Sequence, residues 1–142
     1  MTSRLVQVAI DATAADTVAA FWCAVLGWSE LEREDGLISI GPTMGGAGID
    51  VIAVPEAKTL KNRLHLDLRA DGDRARELAR LLALGARRVD VGQAPDVTWT
   101  VLADPEGNEF CLLQGGPHAR TVRRFSGPAW CRGRSSGAGP AR

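Results

Sequence analysis

The side chains best suited to chemistry in this chain stand two residues apart. His65, Asp67 and Arg69 alternate with Leu64, Leu66 and Leu68, and side chains two apart on an extended strand share a face. That face offers an imidazole, a side chain able to give or take a proton, a neighbouring carboxylate, and a guanidinium able to clamp a ligand carboxylate or phosphate. Earlier in the chain Gln7, Ala9 and Asp11 stand opposite Val6, Val8 and Ile10 in the same pattern. The aliphatic faces are expected to pack under helices. The polar faces, costly to bury without partners, are expected to point into a water- or ligand-filled cup. Trp99 adds a flat surface for stacking on a ligand. Cys111 is a candidate nucleophile if His65 approaches it. Each has a plainer alternative: a hydrogen-bonded structural histidine, an ion pair of Arg69 with Asp67 or Asp11, a cysteine in the apolar wall. The catalytic candidate is His65, and the binding candidates are Gln7, Asp11, His65, Asp67, Arg69, Trp99 and Cys111.

The two polar faces belong to a repeat. Residues 5–11 align with 63–69 at an offset of 58, and the helix end at Val25-Leu26-Gly27 aligns with Ala83-Leu84-Gly85 without a gap. A strand is predicted over 4–11 and a helix over 14–26, with Thr13 and Asp16 as a capping box and Gly27 as the stop. Strands follow over 29–34, 37–40 and 48–54, the first two joined by a hairpin at Asp35-Gly36. The second half predicts a strand over 63–70 and a helix over 73–84 capped by Asp71. Strands over 87–91, 97–103 and 109–114 complete it, the last two joined by the turn Asp104 to Asn108. Two tandem βαβββ modules, about 4–56 and 61–114, form an α+β fold with a cupped sheet. Trp22 and Trp28 are expected to fill the core beneath the helices, while Asp50 can face either way.

The chain has 142 residues, 45% hydrophobic and 24% charged, which suits one globular domain over residues 1–116. No apolar run is long enough to span a membrane. The odd number of cysteines without metal-ligand spacing, together with the lack of a secretory signal, suits a reduced cytoplasmic setting. The formal net charge of zero hides an asymmetry. Residues 1–116 hold all 17 acids against 11 basic groups, and residues 117–142 hold six arginines and no acid. The acidic body argues against nucleic acid as a partner. The Arg/Gly-rich tail reads as disordered, with Phe125 and Trp130 as groups that could dock it. Gly45-Gly46-Ala47-Gly48 lacks the lysine and helix of a phosphate-binding loop.

Three segments resemble the glyoxalase/bleomycin-resistance/dioxygenase (vicinal oxygen chelate) superfamily, in its glyoxalase-like subgroup. Ala19-Ala20-Phe21-Trp22 through Gly27-Trp28 is similar to its first-helix signature. Residues 61–68 are similar to the opening of its second module, and Asp104 to Phe110 to its closing hairpin. The resemblance implies a cup that binds a small organic molecule. It also implies four metal-ligand positions in the family's metalloenzymes. Two fall on Gln7 and His65, a third on Cys111, and one on Val51 or Ile52. Gln7 and His65 offer one oxygen and one nitrogen, short of a stable hard-cation site, so they are weak metal candidates and a divalent metal is disfavoured, with no other cofactor expected. The leading expectation is a glyoxalase-like protein that binds a small organic molecule in the cup, with metal-independent lyase or isomerase chemistry left open. The alternatives are a drug- or metabolite-sequestering protein, for which two chains could share cups as a homodimer, and a metal-dependent lyase or dioxygenase.

Overall fold

The computed structural model describes residues 2–94 and 96–114. The Arg-rich extension and its Phe125 and Trp130 lie outside the described residues. The first module runs β1 (Gln7–Ala12), α1 (Ala15–Leu26), β2 (Ser29–Glu34), β3 (Leu37–Gly41) and β4 (Gly48–Ala53). The second runs β5 (Asp67–Leu68), α2 (Arg74–Ala83), β6 (Arg87–Arg88), β7 (Thr100–Ala103) and β8 (Glu109–Leu112). Both are βαβββ. Each folds into a four-stranded mixed sheet, ordered β1-β4-β3-β2 and β5-β8-β7-β6. The first strand of each module pairs in parallel with the last, which sets Ala9 beside Asp50 and Asp67 beside Cys111. Since Ala9 and Asp67 are repeat equivalents, so are Asp50 and Cys111.

One apolar core serves both modules. Val18, Phe21, Trp22 and Val25 of α1 bury against Ile38, Ile40, Ile49 and Val51, and the same cluster takes in Leu81, Leu102, Phe110 and Leu112. Phe21, Trp22 and Phe110 meet edge to face, Trp22 and Phe110 at 5.1 Å between ring centroids. Such packing adds to burial worth roughly 1.5–3 kcal/mol per large apolar side chain. Trp28 is partly buried against the cluster.

The predicted strands and helices form, several of them shorter. Residues 4–6 and 63–66 stay outside the ladders, so Val6 and Leu64, at 64% and 66% exposure, do not pack under helices as expected. Val8, Ile10, Leu66 and Leu68 do pack on the core. The α1 capping box is not made: Ala14 is the N-cap and no side chain of its own turn bonds to it. Glu106 of the second module supplies the acceptor, taking the N–H groups of Thr13 and Ala14 and the Thr13 hydroxyl. The α2 cap is Asp73, which accepts from the Arg76 N–H, and not Asp71. Gly27 closes α1 at φ 65°, and Gly36 turns the β2–β3 hairpin at φ 77°, both in the left-handed region that glycine tolerates.

Candidate functional site

Strand alternation decides which groups can meet. On β4, Ile49 and Val51 enter the core and Gly48, Asp50 and Ile52 take the other face. On β8, Phe110 and Leu112 enter the core, leaving Glu109 and Cys111 opposite. The face away from the core therefore carries Gln7 and Asp50 in the first module, and His65, Asp67 and Cys111 in the second.

The first-module pair is closed on itself. The Gln7 amide donates to the Asp50 carboxylate at 2.6 Å, and the Ser39 hydroxyl donates to the same oxygen at 2.6 Å. In the second module, His65 Nδ1 lies 3.0 Å from Asp67 Oδ1. A carboxylate accepts, so the contact is a hydrogen bond in the tautomer that carries its proton on Nδ1, and in that tautomer Nε2 is the ring atom able to accept a proton. Cys111, buried beside Asp67, completes a group in which one donor atom from each of His65, Asp67 and Cys111 lies within 4.8 Å of the others.

His65 also lines an open hollow of about 440 Å³ between β1 and residues 62–66, with Ala9 and Asp11 on one wall and Leu64 on the other. The Trp22 indole reaches its lining from the core. Sequence reasoning missed the remainder of its rim. Lys58 and the Asn62 N–H both bond Glu109, at 3.0 and 2.9 Å, and so fold the inter-module segment onto the start of β8. Burial acts to raise the Glu109 carboxyl. The Asn62 N–H, the Lys58 ammonium and its own N–H outweigh that and hold it below the ordinary carboxylate range. Alternation along residues 109–112 could have revealed Glu109, because it shares a face with Cys111. Nothing in the local sequence marks Lys58.

The other candidates are dispersed. Gln7 does not line this hollow. Arg69 lines a separate one between the end of α1 and the start of α2, and makes no ion pair among the described residues. Trp99 borders hollows at the start of β7, and its indole N–H is buried without an acceptor among the described residues.

The family's four-ligand set can now be tested. Its first-module strand position is Asp50, the counterpart of Cys111, and not Val51, which is wholly buried in the core, or Ile52. Asp50 is nevertheless tied to Gln7 and Ser39 and is not part of the converging donor group. The four positions therefore do not fit a single ion. The convergent trio is a nitrogen, a carboxylate and a thiol, all within one module.

A model of the glyoxalase-like domain family matches residues 7–113. Among solved structures, a glyoxalase/bleomycin resistance protein/dioxygenase family enzyme from Burkholderia phytofirmans superposes with a TM-score of 0.62 at 21% identity, covering 79% of this chain and 98% of its own. An antibiotic-binding protein from Streptomyces gives 0.58 at 20%, covering 81% and 98%. A fosfomycin resistance protein from Listeria monocytogenes gives 0.64 at 15%, covering 82% and 94%. At these identities the structural likeness establishes the fold. No curated protein matches in sequence.

Proposed function

Because the chain belongs to the glyoxalase-like domain family, we propose that it binds a small organic molecule in the hollow between β1 and residues 62–66, with His65 as the proton-transfer group. The observation that carries this reading is a histidine held through Nδ1 by Asp67 and bordering an open hollow of about 440 Å³. A volume of that size suits a metabolite-sized ligand. Asp67 would fix the tautomer and stabilise the imidazolium formed when Nε2 takes a proton, the step that a lyase or isomerase needs. Asp11 and the Lys58–Glu109 pair would orient polar groups, and Leu64 would offer apolar surface.

Sequestration without turnover is the second reading. It draws support from the exposed Leu64 on one wall, which offers apolar contact with no chemistry. Among the fold neighbours, the Streptomyces protein is described as antibiotic-binding. A metal-dependent reading would have to use His65, Asp67 and Cys111, a donor set of the zinc type.

A thermal-shift screen of the purified protein tests the proposal. A ligand at about 100 times its Kd stabilises the fold by roughly 2.7 kcal/mol. Hits should disappear in Ala9→Phe, which fills the hollow; a hit that persists unchanged puts the ligand elsewhere. For any compound that turns over, His65→Ala should abolish turnover, whereas a sequestering protein would only bind more weakly. Metal analysis of the same preparation separates the metal-dependent reading from both.

A further inference from the structure

We propose that the outer edge of β2 is the docking surface for this chain's own Arg-rich segment, residues 117–142. β2 is the last strand of its sheet, so one side of its backbone has no strand partner, and all six of its residues are exposed. Its one cation, Arg33, is spent between Glu30 and Asp16, each at 2.7 Å. Glu32, Glu34 and the adjoining Asp35 have no ion pair or side-chain hydrogen bond among the described residues. Leu31, bulged out of the ladder and 59% exposed, adds an apolar contact for Phe125 or Trp130.

The charge distribution names the occupant. Residues 1–60 hold eight acids against three basic groups, and residues 61–116 hold nine against eight. The excess negative charge therefore belongs to the first module, and the compensating six arginines lie in residues 117–142. The reach is ample. The segment's 26 residues span about 85 Å when extended, more than twice the diameter of about 35 Å expected of a domain this size. Exposed ion pairs are individually weak and salt-screened, so the docking is a summed, salt-sensitive contact. It stands independently of which ligand the hollow takes.

Limited trypsin digestion of the full chain tests it, because the segment carries the arginines that trypsin cuts. At low salt the wild type should lose its segment several-fold more slowly than Glu32→Lys/Glu34→Lys, and the difference should vanish near 1 M salt. Asp71→Lys/Asp96→Lys changes net charge equally, elsewhere on the surface, and should behave as wild type. Circular dichroism melts confirm that these surface variants are folded. Equal trimming of wild type and the β2 variant at low salt overturns the proposal, as does equal acceleration in both double variants. Protection that fades on dilution also overturns it, since β2 would then be covered by a second molecule.

Discussion

Glu106 illustrates how one side chain can stand in for a missing local signal. It closes the start of α1 from the other module, accepting from Thr13 and Ala14. Burial acts to raise its carboxyl, but the Thr13 hydroxyl and the two N–H groups outweigh that and depress it. A depressed carboxyl stabilises the fold in full above its unfolded value of about 4.3. That contribution is lost as pH falls through the lower folded value. Glu109 is depressed in the same direction. The double substitution Glu106→Gln/Glu109→Gln should therefore flatten the loss of stability below about pH 4.3 seen in urea titrations of the wild type; an unchanged acid limb would rule these two groups out as its origin. Glu106→Ala alone should cost about 1–2 kcal/mol at pH 7, the usual worth of a helix cap.

Strands and helices here are held by close approach as much as by pattern. A Cβ on Gly48 would stand 2.7 Å from the Ile40 carbonyl oxygen, a backbone atom of the neighbouring strand that cannot swing away. Gly48→Ala should thus destabilise by about 1–3 kcal/mol, read as a shift in the urea midpoint. A null result would mean that β3 and β4 can part at little cost. In the second module, Arg74 of α2 donates to the carbonyls of Leu112 and Leu113 and to the Thr100 hydroxyl. This ties the short strands β7 and β8 to the helix. Asp73→Ala, which removes the α2 cap, should cost about 1 kcal/mol.

The two modules do not behave as separable units in this architecture. Trp22 of α1 packs on Phe110 and donates to the fully buried Asp104, which also accepts from the Glu106 and Asn108 N–H groups. Arg80 of α2 caps the end of α1 through the carbonyls of Ala24 and Val25. Unfolding should therefore be a single transition that is identical by tryptophan fluorescence and far-ultraviolet circular dichroism. Two separated transitions would show that the modules unfold independently. Trp22→Ala should cost about 3–5 kcal/mol, as large aromatic truncations in cores do, and should destabilise both modules together.

The sequence by itself determined the duplicated βαβββ order, the aliphatic faces of the strands, the hairpin at Asp35-Gly36 and the stop at Gly27. These depend on side-chain periodicity and on backbone angles that glycine alone tolerates, and both are local. It also nominated His65 and Asp67 as neighbours, because two residues apart in an extended segment is a local relation. Tertiary structure alone decided that Asp50 is the counterpart of Cys111 and that Gln7 is bound to Asp50. It alone decided that Glu106 caps α1, and that Lys58 and Glu109 close the rim of the hollow. Each of those contacts joins residues that are far apart in the chain. Their geometry follows from strand register and from how the two sheets pack on one core, which no short window of residues encodes.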